Sequence, residues 1–271
     1  MNEFKRPARV LIIAGSDSGG GAGIQADIKA VTALGGFAMT AITALTAQNT
    51  LEVRDVLPVP PVFIETQMRV VLEDIGADCL KTGMLHDAGV IEAVASTIET
   101  LAPDVPFVLD PVMVSETGAR LLEAEAVFAL RERLIPMATI ITPNLPEAEV
   151  LLGRAIDTDT AMMDAARELA ARSDVAVLLK GGHRRGATVR DVLARGDELQ
   201  VFEHPRVETR STHGTGCTLA AAIATGLAQG LPLTQAVDRG RRYLRIALEQ
   251  AVPIGAGHGP VCHGHTVQPF P

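Results

Sequence analysis

Two glycine-rich turns contain residue types that suit an anion-binding site. The first, AGSDSGGGAGIQAD at residues 14–27, leads from an apolar segment into a helical pattern. The second, STHGTGCT at residues 211–218, precedes the apolar run 219–227. Glycines let the backbone approach a ligand closely, and the free N–H groups at a helix start favour negative charge. Each turn therefore predicts a ligand site, although a tight strand-to-helix turn and a glycine-capped helix are the plain structural alternatives.

Cysteine and lysine side chains add possible chemistry to these turns. Cys217 falls in the first turn of the second helix, where a thiolate is stabilised and the thiol pKa is lowered. The amides of residues 214–217 suit the charge that develops on a transferring phosphoryl group. Lys180 ends an apolar segment and precedes a Gly-Gly pair, which suits contact with the phosphates of ATP. A lysine whose stem covers apolar surface explains Lys180 equally well.

Two carboxylates follow other predicted strands and could serve a magnesium ion. Asp110 ends the run 107–110, and Glu147 comes three residues after Asn144. Mg²⁺ is commonly bound through one or two carboxylates together with substrate phosphates. Asn144 and Glu147 also have the spacing of a capping box, which ties down the first turn of a helix. Taken alone, residues 144–147 favour the cap, and the metal role gains weight from Asp110.

The elements that must position these residues alternate along the chain. Strands are predicted at 9–14, 37–47, 78–82, 107–110, 139–142 and 175–180, and helices at 24–34, 62–75, 88–101, 123–134, 160–172, 215–229 and 233–251. This alternation predicts an α/β fold with a mostly parallel sheet covered by helices on both faces. Ligands bind such sheets beyond the carboxyl ends of the strands, where the polar residues above are expected. No linker divides the chain, so residues 1–271 are predicted to form a single domain.

The pattern changes after residue 187. Three short runs at 188–193, 199–202 and 206–209 predict an antiparallel edge of the sheet. The tail from residue 253 is rich in Gly, Pro and His, and its histidines and Cys262 lack the paired spacing of a zinc site. A solvated terminus without a structural metal is therefore expected.

Composition excludes several classes of function. The 271 residues include 24 Lys and Arg against 32 Asp and Glu, a formal net charge of −8. This acidic balance argues against nucleic acid and anionic membrane surfaces as partners, and no apolar run reaches the roughly 20 residues of a membrane span. Three cysteines without paired spacing indicate a reducing, cytoplasmic compartment. P-loop and protein-kinase motifs are absent.

An oxidoreductase is a distant alternative. Gly21, Gly23 and Ala26 match the dinucleotide-binding fingerprint of Rossmann folds. The acidic residue expected at the end of the second strand is missing, because residues 45–50 read LTAQNT. The fingerprint is therefore a weak match.

Taken together, the segments resemble the hydroxymethylpyrimidine/phosphomethylpyrimidine kinases of the ribokinase-like superfamily. The resemblance runs from residue 9 to about residue 265 and rests on seven motifs in order. They are AGSDSGGGAGIQADIK (14–29), TALTAQNT (43–50), KTGML (81–85), VLDPVM (108–113), TPNLPEAE (142–149), LLKGGH (178–183) and STHGTGCTLAAA (211–222). The resemblance implies a three-layer αβα sandwich and a homodimer that uses ATP and Mg²⁺. It also implies two successive reactions in one site, on 4-amino-5-hydroxymethyl-2-methylpyrimidine and then on its monophosphate, giving the diphosphate for thiamine biosynthesis.

The resemblance also assigns residues to roles. Those implied to line the pyrimidine pocket are Gly15, Asp27, Gln48, Met84 and Val112. Those implied around the phosphates are Gly214, Gly216 and Cys217 in the anion hole, Lys180, Thr215 and Asn144 at the nucleotide, and Asp110 and Glu147 at Mg²⁺. Cys217 takes the position where sugar kinases of the superfamily carry an aspartate base, so it is expected to receive the hydroxymethyl proton or to orient that hydroxyl. Residues 111–118 are a candidate lid.

Two rivals share part of this pattern. A pyridoxal/pyridoxine kinase needs the same chemistry on a similar hydroxymethyl ring. A non-catalytic pyrimidine-binding regulator could use the same fold, but it would not need the set of polar residues assigned to the phosphates. In the tail, Cys262 and Gly264 stand where the family frequently has Asn and an aromatic residue, which leaves the role of the tail open.

Overall fold

The computed structural model describes residues 6–113, 124–184 and 186–268. Its strands are β1 (Arg9–Asp17), β2 (Phe37–Gln48), β3 (Val53–Pro58), β4 (Cys79–Thr82), β5 (Phe107–Leu109), β6 (Ile140–Ile141), β7 (Ala176–Lys180), β8 (Thr188–Arg195) and β9 (Glu198–Pro205). Its helices are α1 (Gly23–Ala33), α2 (Pro61–Asp74), α3 (Ala88–Leu101), α4 (Ala124–Ala129), α5 (Leu145–Leu152), α6 (Asp159–Ser173), α7 (Thr215–Ala228) and α8 (Leu233–Glu249).

The strands form one sheet in the order β3-β2-β1-β4-β5-β6-β7-β8-β9. The six central strands, β2, β1, β4, β5, β6 and β7, run parallel to one another. The outer strands β3, β8 and β9 pair antiparallel. Alternate residues of β1 face opposite ways: Leu11 and Ile13 pack with α2, α3 and α6, whereas Val10 and Ile12 pack with α1, α7 and α8. The predicted α/β class, with helices on both faces of a mostly parallel sheet, is confirmed.

Three features of the predicted pattern are wrong or incomplete. The sequence does not predict β3, because its exposed and charged residues lack the alternating pattern of a buried strand. The chain turns back before β3 at Asn49, whose side chain accepts hydrogen bonds from the amides of Leu51 and Glu52. Residues 206–209 do not form a strand, because the Arg206 backbone and guanidinium bind the carbonyls of the loop that precedes β8. α5 was foreseen only as a capping pattern.

The helix expected at 123–134 changes character along its length. α4 passes into a π-helical turn at Leu130–Leu134 and a 3-10 turn at Ile135–Met137. Pro136 has no N–H to bond back into a helix, which ends the regular α-helical pattern here.

The predicted solvated terminus is wrong, because part of the tail is buried against the protein. Val261 and His263 are buried. The Cys262 amide donates to the carbonyl of Ala247, and the Gly259 carbonyl accepts from the amide of His213. Backbone hydrogen bonds therefore fasten the tail to α8 and to the turn before α7.

The carboxyl ends of the parallel strands bring polar side chains to one edge of the sheet. Asp17 ends β1, Thr82 ends β4, Asp110 and Thr142 follow β5 and β6, and Lys180 ends β7. This edge is where open α/β sheets bind ligands. None of the helices within the described ranges is long and apolar enough to cross a membrane.

Candidate active site

Asp17 organises the first glycine turn. Its Oδ1 accepts the amide of Gly19 at 2.8 Å, and its Oδ2 accepts the amides of Gly21 and Ala22 at 3.0 and 2.8 Å. Burial alone would raise the pKa of Asp17, but these amides and His213 outweigh it and hold the pKa below its usual range. An ionised carboxylate therefore stabilises the first glycine turn through hydrogen bonds to three of its amides.

The second glycine turn packs directly on the first. Gly214 is the N-cap of α7 in the left-handed region, with φ 82°, and a Cβ there would overlap the carbonyl of Gly21. His213 Nε2 lies 2.8 Å from Asp17 Oδ2 and 3.4 Å from Gln48 Nε2. Only glycine fits at position 214, because both the backbone angle and the neighbouring turn exclude a side chain.

A cavity of about 650 Å³ opens between the two turns. The predicted site residues that line it are Gly15, Gln48, Met84, Asp110, Val112, Asn144, Glu147, Lys180, Gly214, Thr215, Gly216 and Cys217. The structure thus brings together residues at the ends of six strands and at the starts of α5 and α7. Of the candidate lid at 111–118, residues 114–118 lie outside the described ranges.

Asp27 is the one predicted site residue that does not line this cavity. It is fully buried, and its Oδ2 lies 2.8 Å from Nζ of the equally buried Lys81. Burial raises the pKa of Asp27 to about 6 against the opposing charge of Lys81. The family resemblance implies a place for Asp27 in the pyrimidine pocket, but Asp27 lies on the buried face of α1.

Sequence reasoning missed Lys81 as Asp27's partner. Lys81 stands in β4 between two buried neighbours, and a lysine in a buried strand requires an ionic partner. That signal was present in the motif KTGML. Burial alone would lower the pKa of Lys81, but the charges of Asp27 and Asp110 and the hydrogen bond to Asp27 raise it.

Asp110 and Lys180 form a second ion pair that faces the cavity. Lys180 Nζ lies 2.9 Å from Asp110 Oδ1, and the Thr142 hydroxyl donates to the same oxygen at 2.8 Å. Burial alone would raise the pKa of Asp110, but the ammonium groups of Lys180 and Lys81 hold it below its usual range. A Cβ on Gly216 would stand 3.4 Å from both Lys180 Nζ and Asp110 Oδ2, so the pair lies against the start of α7.

Glu147 makes the cap that its spacing predicts and also reaches the cavity. Its side chain accepts the Asn144 amide at 2.8 Å, and the Asn144 side chain accepts the Glu147 amide at 2.9 Å. Burial raises the pKa of Glu147 to about 7, with Lys180 opposing and Asp110 reinforcing the shift. A buried carboxyl with so high a pKa is one that a nearby cation would stabilise in its ionised form.

Cys217 lies on α7's first turn, as expected, but its predicted pKa shift is wrong in sign. Burial, together with the charges of Asp27 and Asp110, raises the pKa of the Cys217 thiol to about 12, despite Lys81 and the amide of Gly23. Burial therefore raises the thiol pKa by more than the N-terminus of α7 lowers it. At neutral pH the residue is a thiol in this structure.

A further wall of the cavity contains polar residues that the sequence analysis did not single out. Asp191 accepts the Gly181 amide at 3.0 Å and Arg241 Nε at 2.7 Å, and the Arg241 guanidinium lies 4.6 Å from the centre of the Phe202 ring. This network anchors the loop after Lys180. The available signal was Asp191, one of two charged residues inside the predicted strand at 188–193.

Comparison with known proteins identifies related chains along almost the whole length. The family model described as phosphomethylpyrimidine kinase matches residues 17–262. A thiamine biosynthesis bifunctional protein, ThiED, of Geobacter sulfurreducens is 49% identical over 94% of this chain, a match that spans 52% of that longer protein. A hydroxymethylpyrimidine/phosphomethylpyrimidine kinase of Streptomyces coelicolor is 45% identical over 95% of each chain.

Solved structures share the fold. An ADP complex of Bacillus subtilis pyridoxal kinase superposes with a TM-score of 0.86 at 36% identity, covering 95% of this chain and 97% of that one. A phosphomethylpyrimidine kinase from Clostridium difficile superposes with a TM-score of 0.78 at 39% identity, covering 89% and 99%.

Proposed function

Because this chain belongs to the phosphomethylpyrimidine kinase family, we propose that the cavity between its two glycine turns is where both phosphorylations take place. The chain is a hydroxymethylpyrimidine/phosphomethylpyrimidine kinase of thiamine biosynthesis. It transfers a phosphoryl group from ATP to 4-amino-5-hydroxymethyl-2-methylpyrimidine and then to the monophosphate.

The contact between the two turns is the observation that supports a shared reaction chamber. One turn suits the pyrimidine and the other suits a phosphoryl group, and Gly214 touches Gly21. Phosphoryl transfer depends mainly on positioning and on neutralising charge, since its transition state is loose. Two rigid turns in contact provide that positioning.

The pyrimidine is assigned to the part of the cavity beside the first turn. A Cβ on Gly15 would lie 3.1 Å from Met84 Sδ, so Gly15 keeps a flat space open against the Met84 side chain. Gln48 offers an acceptor and a donor for the amino-pyrimidine edge, and Val112 adds an apolar contact. Asp27 supports this pocket only from behind, through its ion pair with Lys81.

Lys180 and the start of α7 are assigned to the phosphates. Lys180 supplies positive charge, and within the described residues the amides of Gly216 and Cys217 have no backbone acceptor. These donors are fixed before the reaction, so they stabilise developing charge without rearrangement. Thr215 and Asn144 complete the nucleotide side of the cavity.

Asp110 and Glu147 fit a magnesium ion that is shared with substrate phosphates. Within the described ranges, no cluster of three or more His, Cys, Asp or Glu could hold a metal by itself. Two carboxylates at a phosphate site match the way Mg²⁺ is usually bound. When bound, the ion would offset the negative charge of the phosphate oxygens. The two carboxylates would hold it beside Lys180.

Cys217 is assigned to the acceptor hydroxyl. With a pKa of about 12 the residue begins as a thiol, so it orients the hydroxyl rather than removing its proton at the outset. A loose transition state tolerates this, because the acceptor needs little activation before the phosphoryl group arrives. The proton then leaves late, towards an oxygen of the transferred phosphate.

We also propose a homodimer formed through the face that we call the β2–β3 patch, made by Leu45, Leu57, Val62 and Phe63. Leu45 and Leu57 are paired across β2 and β3 and are 44% and 64% exposed. Val62 and Phe63, at the start of α2, are 69% and 56% exposed. α2 packs against β2, so these exposed apolar side chains belong to neighbouring elements. Large exposed apolar surfaces are typical of an interface, and a second copy would pair the patch with itself.

A cytoplasmic location fits the thiols. Cys79, Cys217 and Cys262 are all free. Free cysteines are typical of a reducing compartment.

The test is product analysis with ATP, Mg²⁺ and the hydroxymethylpyrimidine. The monophosphate should appear first and the diphosphate second, and Lys180→Met should bind the pyrimidine but turn it over at least about 100-fold more slowly. Pyridoxal is assayed in parallel. A much higher kcat/KM for pyridoxal would reassign the substrate, and pyrimidine binding without turnover in the wild type would indicate a regulator.

A further inference from the structure

The C-terminal strap, residues 257–263, crosses the back of the second glycine turn. The His213 amide donates to the Gly259 carbonyl at 3.0 Å, and Pro260 pairs with His213 as an isolated parallel bridge. On its other side the strap is held by α8, through the Tyr243 hydroxyl, which donates to the His263 carbonyl at 2.6 Å. The strap therefore sits between α8 and the loop that carries the proposed anion hole.

A short chain of hydrogen bonds leads from the strap into α7. His263 Nε2 lies 2.9 Å from the Thr218 hydroxyl, which donates to the Gly214 carbonyl at 2.8 Å. Thr218 has one hydroxyl proton, so while it donates to the Gly214 carbonyl it can only accept from His263 Nε2, an arrangement that requires the Nε2–H tautomer of His263. Both side chains lie inside the protein: Thr218 is fully buried and His263 is 5% exposed.

These hydrogen bonds hold Gly214, the first residue of the proposed anion hole. The Gly214 carbonyl also accepts the Thr218 amide at 2.9 Å, so two donors from one residue hold it. The peptide unit is planar, so holding that carbonyl also holds the N–H of Thr215 on the other side of the same unit. The amides of Gly216 and Cys217 then follow in a set direction.

We propose that His263 is a positioning residue for phosphoryl transfer, acting through Thr218 to orient the anion hole. His263 is not one of the residues that line the cavity. The inference rests on the kinase function proposed above. Burial lowers the pKa of His263 to about 4, so the ring is neutral at neutral pH and can serve as a fixed hydrogen-bond donor.

The test compares His263→Leu, which removes the donor, with His263→Gln, whose side-chain amide can replace it. His263→Leu should lower kcat by about 10-fold to 100-fold, since small displacements of catalytic groups have effects of that size. The pyrimidine KM should change less than about twofold, because the anion hole acts mainly on the transition state. His263→Gln should recover most of kcat. The matched control is His265→Ala, a histidine of the same tail that bonds Tyr243 rather than α7 and should leave kcat unchanged.

Amide hydrogen exchange of residues 214–218 gives a readout that needs no turnover. Exchange should be faster in His263→Leu and return towards wild type in His263→Gln. If His263→Leu does not fold, Thr218→Val and Thr218→Ser make the same comparison from the other partner. A folded His263→Leu protein with wild-type kcat and exchange, or a Gln variant as impaired as Leu in both, would overturn the proposal. Normal exchange behaviour in a wild type without kinase activity would instead count against the proposed function.

Discussion

His213 Nε2 lies 2.8 Å from Asp17 Oδ2, although the two residues are 196 positions apart in the chain. The same carboxylate oxygen accepts the amides of Gly21 and Ala22, so one buried carboxylate joins both glycine turns. Charge-assisted hydrogen bonds of this kind are stronger than neutral ones. The relative position of the two turns therefore depends on the ionisation of Asp17.

The first prediction concerns stability at low pH. Hydrogen bonds to its carboxylate outweigh burial and lower the pKa of Asp17 in the folded state, so ionised Asp17 stabilises the fold. This contribution is complete above the unfolded pKa of about 4 and is lost as the pH falls through the lower folded pKa. In urea unfolding, Asp17→Asn should therefore lose less stability than the wild type below about pH 4. Asp104→Asn, an exposed change of the same kind, should follow the wild-type curve; parallel curves for Asp17→Asn would contradict the prediction.

The second prediction concerns Cys217. Cys217→Ala should lower kcat by about 100-fold with little change in the pyrimidine KM, since misplacing a reacting group has an effect on that scale. Its pKa of about 12 adds a pH test, because thiol ionisation should not control kcat between pH 7 and pH 10. Steady-state kinetics across this range check both points. A rise in kcat with an apparent pKa near 8.5 that vanishes in Cys217→Ala would show an activated thiolate instead.

The third prediction concerns the buried pair of Asp27 and Lys81. Removing one partner leaves an uncompensated buried charge, so Asp27→Leu or Lys81→Met should lower the free energy of unfolding by about 3–5 kcal/mol. The double variant should recover much of this loss, because neither member of the pair then leaves a buried charge without its partner. Urea denaturation of all four proteins gives the coupling energy. Additive losses would mean that the two side chains do not act as a pair.

The fourth prediction concerns assembly. A charge in the centre of a self-complementary apolar interface should be strongly unfavourable, so Leu57→Glu should shift the chain from dimer to monomer. Sedimentation velocity on wild type and variant measures this directly. Val201→Glu, an equally drastic change on the opposite sheet edge, is the control. A monomeric wild type, or a dimer that tolerates Leu57→Glu, would exclude the β2–β3 patch.

Local patterns in the sequence were sufficient for most of the fold. Hydrophobic periodicity placed the parallel strands and their covering helices, and the glycine turns marked the ends where ligands bind. The capping box of Asn144 and Glu147 was read directly from spacing, because both partners lie within one helical turn. β3 was not predicted, because a strand at the exposed edge of a sheet lacks the apolar residues of a buried strand.

Only the tertiary structure decided which side chains meet. Asp27 and Lys81 are 54 positions apart, and Asp17 and His213 are 196 apart; no local pattern connects such residues. Enclosure by several elements also set the sign of the Cys217 pKa shift, which the helix start alone predicted wrongly. The sequence by itself determined where the strands end and which polar residues follow them, since strand ends depend on residues that are close together in the chain. Burial and long-range pairing decided their chemistry, because electrostatic energies depend on what lies nearby in space.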